Sequence, residues 1–214
     1  MGRLIVIEGL DGAGKRTLAD GIEAQLANRG CAVSRAAFPR YADDVHAELV
    51  AEALRGGHGD LGRSVYGMAV LYALDRRDAA ADLRTQLAAN DVVLLDRYVA
   101  SNAAYGAARE HEDAAGRFVE WVRELEVDRF AAPRPQLQIL LRVPTRVAAE
   151  RAAHRERTET GRERDSFESD DALQQRCGRV YAELADRNWW SPWVVLDGTE
   201  DVDFASLVDG EILR

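Results

Sequence analysis

The segment Gly9-Leu10-Asp11-Gly12-Ala13-Gly14-Lys15-Arg16-Thr17 carries glycines and a lysine at the spacing Gly-x4-Gly-Lys. That spacing describes a phosphate-binding loop, or P-loop. Glycines let successive backbone N–H groups turn inward into an anion nest. A helix starting at Lys15 adds its partial positive end. Lys15 supplies a point charge to the β- and γ-phosphates of a nucleotide. Gly12, Ala13, Gly14, Arg16 and Thr17 complete the triphosphate cradle. One position departs from the pattern. The residue after the lysine is usually a Ser or Thr whose hydroxyl holds Mg2+; here it is Arg16, with Thr17 one place later. Arg16 cannot ligate a metal, and Thr17 is left for a phosphate.

Two further groups belong to the same chemistry. Asp96 closes the apolar run Asp91 to Asp96 and is followed by Arg97-Tyr98. An acid ending a buried strand beside a P-loop can hold Mg2+ directly or through water; the plainer alternative is a helix cap. Arg97 can bridge donor and acceptor phosphates; its plainer alternative is a surface ion pair. Farther on, Arg151 and Arg155 fall four apart, on one helix face. Arg157, Arg162 and Arg164 follow them. Glu150, Glu156, Glu159, Glu163 and Asp165 dilute that charge, so a solvated mixed-charge loop competes with a short basic lid at about 150–165. A closing lid excludes water and strengthens the electrostatics beneath it.

These residues need elements to hold them. Arg3 to Glu8 reads as a buried strand and Lys15 to Asn28 as a helix ended by Arg29-Gly30. Cys31 to Phe38 is a strand, and Asp43 to Arg55 a helix stopped by Gly56, Gly57 and Gly59. Leu61 to Ala89 is one long helix or two. Asp91 to Asp96 is a strand, and Gly116 to Phe130 a helix broken by Pro133 and Pro135. No element is assigned between Arg97 and Ala115. Leu137 to Val143 is a strand, and Pro144 opens a helix that runs to about Arg157. Thr158 to Arg164 reads as loop, Asp170 to Arg187 as helix and Trp193 to Leu196 as the last strand, before a short closing helix. Apolar strands alternating with helices predict an α/β fold, a parallel five-stranded sheet covered on both faces. Ligands on such sheets bind at the carboxyl ends of the strands, where the loop at Gly9 and the Asp96-Arg97 pair stand.

The 214 residues favour a single domain spanning 1–214, with a net charge of −9. That acidity argues against a nucleic-acid partner, which needs a basic face, yet leaves room for a few local cations around phosphates. Cys31 and Cys177 form no CxxC pair and no Cys/His cluster, so they read as free thiols in a reducing cytosol. No run approaches the ~20 apolar residues of a membrane span, and no secretory or myristoylation signal is present. A cytoplasmic protein without membrane contact is expected. His46, His58, His111 and His154 fit no nucleophile or metal arrangement and read as surface residues.

P-loops serve motors, switches and kinases. No Asn-Lys-x-Asp guanine motif occurs. The run Asp96-Arg97-Tyr98-Val99-Ala100-Ser101-Asn102-Ala103-Ala104-Tyr105 resembles the signature of thymidylate kinases. So do Glu8 to Lys15, Phe38-Pro39-Arg40-Tyr41 and Leu74-Asp75-Arg76. The motifs stand in family order from Arg3 to about Leu196. They are most similar to actinobacterial members, which share Lys-Arg-Thr in the P-loop and Ser-Asn-Ala-Ala-Tyr in the signature.

The resemblance implies a P-loop nucleoside monophosphate kinase with ATP and dTMP as substrates, Mg2+ as cofactor and a homodimeric assembly. It implies that Tyr72 stacks on thymine, where the family usually has Phe, that Arg76 donates to O4 and that Asn102 reads the remaining base edge. Tyr105 would pack under the sugar, where a 2′-hydroxyl collides. Phe38, Tyr41 and Arg97 would surround the acceptor phosphate, with Ser101, Asp165 and Phe167 completing the dTMP site. Asp11 would take the 3′-hydroxyl or join the metal shell. Some members carry a catalytic arginine in the P-loop and others in the lid. Ala13 occupies that P-loop position here, so the charge is expected from the lid, first from Arg155 and then from Arg151 or Arg162. Asp165-Ser166-Phe167-Glu168 stands where such members have Asp-x-Tyr-Glu; Phe167 lacks the phenol hydroxyl. Asp11 and Glu168 beside the acceptor phosphate, with Asp96, form the expected Mg2+ site and offset Arg16.

The expected reaction is ATP + dTMP → ADP + dTDP, a step in dTTP synthesis. A phosphate monoester has a second pKa near ~6 and is largely ionised at pH 7, so no general base is needed. Catalysis reduces to in-line positioning and charge neutralisation by Lys15, Arg97, a lid arginine and Mg2+, with Asp11 beside them. One rival is a nucleoside kinase, which would need a base near the acceptor hydroxyl. The other is a non-catalytic nucleotide switch, which would have no use for Arg97 and the base-reading residues together.

Overall fold

The structure is a computed structural model that describes residues 2–41, 43–158, 167 and 169–214, with the side chains of Arg155 and Thr158 outside that description. Five strands form one sheet: β1 (Arg3–Glu8), β2 (Val33–Ala37), β3 (Val92–Asp96), β4 (Leu137–Arg142) and β5 (Trp193–Asp197). Their order is β2-β3-β1-β4-β5 and every pairing is parallel. The central strands read as unbroken apolar runs, such as Val92 to Leu95, because helices cover both faces. The edge strands β2 and β5 are only partly covered. Parallel pairing of β1 with β3 sets Ile7 beside Asp96. The turns after both strands therefore open at the same end of the sheet.

The helices are α1 (Lys15–Asn28), α2 (Val45–Leu54), α3 (Val65–Ala89), α4 (Val99–Arg109), α5 (Arg117–Val122), α6 (Thr145–Thr158), α7 (Asp171–Asp186) and α8 (Phe204–Leu207). The stretch from Leu61 resolves into a 3-10 turn at Leu61–Arg63 and then α3, separated by Ser64, whose hydroxyl caps the N–H of Gly67. Asp44 caps α2 in the same way.

Three expectations need correction. First, α4 fills the interval left without an element. Its Val99, Ala100, Ala103, Ala104, Ala107 and Ala108 are all buried, while Ser101, Tyr105 and Arg109, four apart on the opposite stripe, line the cavity described below. Its small residues let neighbours come close: a Cβ on Gly106 would collide with the Phe118 ring. Second, the helix from Gly116 is α-helical only to Val122 and continues as π-helix over Arg123–Arg129. Third, His46 is half-buried rather than on the surface. Its Nδ1 lies 3.1 Å from Asp44 and 3.7 Å from Asp78. The basic segment is helical through Thr158, so the first half of the expected lid belongs to α6. The closing helix α8 likewise passes into π-helix at Val208–Ile212.

Cys31 and Cys177 are both free thiols. Burial pushes the Cys177 thiol far above its ordinary value. Among the described residues, no helix is long and apolar enough to cross a membrane.

Candidate active site

The strand-to-helix turn after β1 shapes the phosphate loop. Gly14 caps α1 at φ 103°, in the left-handed region, and no side chain caps the helix start. The first-turn N–H groups are thus left for an anion. Gly12 has φ 83°, and a Cβ there would collide with the carbonyl oxygen of Ala148 on α6. Only glycine fits that approach. Lys15 is buried; its Nζ donates to the carbonyls of Leu10 (3.0 Å) and Gly9 (3.3 Å), folding back over the loop. Burial and the nearby Arg97 charge pull the Lys15 ammonium below its ordinary value, with Asp11, Asp96 and Glu8 opposing them.

Arg97 follows β3 with φ 66°, and its N–H donates to the Ile7 carbonyl at 2.9 Å. A left-handed non-glycine residue costs roughly 1–2 kcal/mol, and here that backbone turn aims the guanidinium at the P-loop. Nη2 donates to Asp11 Oδ1 at 2.6 Å. Nη1 donates to Ser101 Oγ at 3.0 Å and Tyr181 OH at 3.2 Å. Tyr105 lies under the guanidinium, 5.3 Å from ring centre to Cζ. Its hydroxyl donates to Asp11 Oδ2 at 2.8 Å. Burial works against the Arg97 charge, but Asp11 together with the other groups around it, Asp96 among them, outweighs burial, and the group is a permanent cation.

Glu8 lies fully buried beneath this cluster. It accepts from the Tyr98 N–H at 2.9 Å, from Ser101 Oγ at 2.6 Å and from Tyr181 OH at 3.1 Å. Burial pushes the Glu8 carboxyl up despite those bonds. With its acceptors engaged in holding Ser101 and Tyr181 under Arg97, Glu8 is wall rather than base.

Asp11 shows the opposite balance. Burial alone would raise its carboxyl, but the charges of Arg97 and Lys15 hold it well below the usual carboxylate range. A depressed folded pKa stabilises the fold fully above the unfolded value of about 4, and that stability is lost as pH falls toward the folded value. We therefore expect the urea stability gap between the wild type and Asp11→Asn to be constant above about pH 5 and to close below about pH 4. A gap of the same size throughout would remove Asp11 ionisation from the fold's stability.

Asp96 presents a buried Oδ1 with no hydrogen-bond partner among the described residues. An orphaned carboxylate oxygen beside a phosphate loop fits a hard divalent cation or one of its waters. Asp11 lines the same cavity and retains lone pairs, although both of its oxygens already accept hydrogen bonds. Glu168, the third expected ligand, lies outside the described residues.

These elements surround one cavity of about 1820 Å3. Asp11, Gly12, Ala13, Gly14, Lys15, Arg16, Thr17 and Arg151 line its phosphate end, with Asp96 and Arg97 between. Phe38, Tyr41, Tyr72, Arg76, Ser101, Asn102, Tyr105 and Phe167 line the remainder. Arg151 spans the P-loop and the turn after β5, donating to the carbonyls of Ala13 and Gly198 at 3.1 Å each. Phe167 stacks on Tyr105 at 6.3 Å between ring centres, and Arg109 sits 4.7 Å over the Phe167 ring. The Arg155 side chain, Arg162, Arg164 and Asp165 lie outside the described residues.

Several residues with work at this site were not singled out from the sequence. Arg40 donates to Asp75 at 2.7 Å through Nε, and its N–H donates to the same carboxylate at 3.0 Å. That contact ties the Phe38-Pro39-Arg40-Tyr41 loop to α3 and gives both motifs a shared structural reason. Tyr181, from the middle of α7, reaches Arg97. Glu126, in the π-helical segment, pairs with Arg76 at 2.5 Å. Its signal was available: Phe118, Val119 and Val122 are the buried face of α5, and Glu126 falls four residues beyond Val122.

A family model described as thymidylate kinase matches residues 7–203. The chain is 50% identical over 200 residues to the thymidylate kinase of Mycobacterium tuberculosis, covering 94% of this chain and 92% of that one. It is 32% identical to a probable thymidylate kinase of Thermococcus onnurineus, covering 98% of each. It is 29% identical to a thymidylate kinase of Caenorhabditis elegans, covering 94% of this chain and 85% of the relative.

Proposed function

The chain belongs to the thymidylate kinase family, and we propose that the cavity between the P-loop and α4 is where it moves the γ-phosphoryl group of ATP to dTMP. One observation carries this assignment of the site. Arg97 stands between the Lys15 loop on one side and the Tyr72, Arg76 and Asn102 end on the other, all within one cavity. Donor phosphates would rest on the N–H groups of Gly12 to Thr17 and on Lys15. Arg151 borders the same loop, and Arg155 on α6 supplies the lid charge over the transferring group. Tyr72 offers its ring to the base, Arg76 and Asn102 its polar edge, and Tyr105 the sugar. Phe38 and Tyr41 flank the acceptor phosphate, with Asp165 and Phe167 contributing from the lid side. Ser101 acts chiefly through Arg97, since its hydroxyl is engaged by Glu8.

The acceptor brings its own ionised oxygen, so the protein's task is alignment and neutralisation. Lys15 and Arg97 are held in place before any ligand arrives, which spares reorganisation at the moment of transfer. The family's reaction uses a divalent metal. We read it as Mg2+, held by Asp96 and Asp11 with Glu168, where it would neutralise phosphate charge. The chain acts as one nucleoside monophosphate kinase unit over 1–214, in a cytoplasmic homodimer.

The test is ADP release with ATP and Mg2+ against dTMP, dUMP, dCMP, UMP and thymidine. Strong preference for dTMP, with dUMP slower by the ~1–3 kcal/mol worth of a buried methyl, is the expected outcome. Turnover of thymidine but not dTMP would overturn the mechanism and require a base.

A further inference from the structure

Among the described residues, Glu126 is the acid that touches both polar residues at the base end of the cavity. It is 1% exposed, beside Arg76 at 3% and Asn102 at 5%. Arg76 donates through Nε to Glu126 Oε2 at 2.5 Å and through Nη2 to Oε1 at 2.8 Å. Asn102 donates through Nδ2 to the same Oε1 at 2.8 Å, and to the carbonyl of Ala69 on α3 at 3.1 Å. Three donors from two residues thus converge on one carboxylate.

The donor inventory fixes what remains for a ligand. A carboxylate paired with arginine only accepts, and a backbone carbonyl only accepts. Both hydrogens of the Asn102 amide therefore point into protein. Flipping the amide would set Oδ1 against two acceptors at once, an arrangement that a buried site does not tolerate. The Asn102 oxygen is left as the atom available to the cavity that Asn102 lines. Arg76 has committed Nε and one hydrogen of Nη2, and Nη1 keeps both of its hydrogens, with no acceptor on it among the described residues. The cavity is offered N–H donors from Arg76 and one acceptor from Asn102, side by side and in a set order.

We propose that Glu126 is a positioning residue for pyrimidine specificity: by accepting from Arg76 and Asn102 together, it locks the donor–acceptor order that matches thymine and mismatches cytosine. Thymine presents a C4 carbonyl and an N3–H, one acceptor and one donor. Cytosine presents an exocyclic amine and a bare N3, the same two positions with both roles reversed. A site built to satisfy the first leaves two buried polar clashes with the second, the kind of mismatch that gives large discrimination. The role rests on the placement of the base at Arg76 and Asn102 given above, and adds to it the residue that sets their orientation. The π-helical segment Arg123–Arg129 that carries Glu126 fits this role, since such wide turns recur at functional sites.

The experiment is steady-state kinetics of the full chain with dTMP and dCMP, for the wild type, Glu126→Gln and Glu126→Asp. The Glu126→Gln change places an N–H2 where one carboxylate oxygen stood, so the new amide opposes an Arg76 donor or permits the Asn102 amide to flip. We expect the dTMP-to-dCMP ratio of kcat/KM to fall at least tenfold in Glu126→Gln. Most of the change should be in the KM for dTMP, with the KM for ATP unchanged. Glu126→Asp keeps an acceptor-only head and should retain a ratio between the two. A purely structural role would lower both substrates by one factor and leave the ratio where it was; that outcome overturns the proposal. If Glu126→Gln does not fold, Glu126→Asp decides alone. A dTMP-to-dCMP ratio of kcat/KM within twofold of the wild type would then overturn it, and a larger fall at constant KM for ATP would support it. Arg76→Ala and Asn102→Ala separate the two layers. If neither moves the ratio, the base is not read there and the site assignment itself fails. If both move it and Glu126→Gln does not, only the role of Glu126 is lost.

Discussion

Arg97→Ala should lower kcat by about 10^3-fold or more while the chain still folds, because an arginine neutralising a transferring phosphoryl group is worth ~10^3–10^5 in rate. Three features of the site support so large a loss. The guanidinium is pre-set by Asp11, Ser101 and Tyr181, so its charge is in place before substrate arrives. It is a permanent cation. It stands between the phosphate loop and the base end of the cavity, where charge shifts from donor to acceptor during transfer. Arg97→Gly sharpens the test. Glycine relieves the left-handed backbone at φ 66°, so this variant should be less destabilised than Arg97→Ala by up to ~1–2 kcal/mol, yet equally inactive. Urea denaturation and single-turnover kinetics on both variants separate the two effects. A kcat within tenfold of the wild type in either variant would remove Arg97 from the chemistry.

Gly12→Ala should abolish most ATP affinity and spare dTMP affinity. Two costs add. The residue sits at φ 83°, where an L side chain is strained by roughly 1–2 kcal/mol. Its Cβ would also collide with the Ala148 carbonyl oxygen and stand 2.9 Å from the Ala148 carbonyl carbon. Both contacts are backbone, so neither can swing away, and overpacking of this kind costs about 1–3 kcal/mol. The loop or the start of α6 must move, and either movement spoils the anion nest. At 1.4 kcal/mol per tenfold, a combined ~2–5 kcal/mol predicts a loss of about 30- to 3000-fold in ATP binding. Titration calorimetry with ATP and with dTMP reads both sides. ATP binding within threefold of the wild type would mean that the loop accommodates a side chain, and that close packing against α6 does not shape the phosphate site.

Parts whose chemistry is local were legible in the chain before any fold was known. A Gly-x4-Gly-Lys loop needs only consecutive residues, and its flanking strand and helix follow from an apolar run and an amphipathic stretch. The parallel sheet followed from alternation, since only crossovers covering both faces can bury such strands. The end of β3 at Asp96, with Arg97 next in the chain, follows from the apolar run Val92 to Leu95. Long-range polar pairing and the burial of small side chains were not legible. In α4 the buried face is built mostly of alanine, opposite a stripe of Ser101, Tyr105 and Arg109, and only the packing around it shows that so small a set of side chains is core. Glu126 continues the buried register of Phe118 and Val122, so its burial has a local signal, but its partners have none. Its importance depends on Arg76, 50 residues away, and Asn102, 24 residues away, meeting it in the core. Asp75 meets Arg40 across 35 residues in the same way. Buried ion pairs of this kind must be completed by both partners or they cost more than they return. Which surface-looking charges become fixed partners is decided by the tertiary fold, because the local pattern of either residue carries no record of the other.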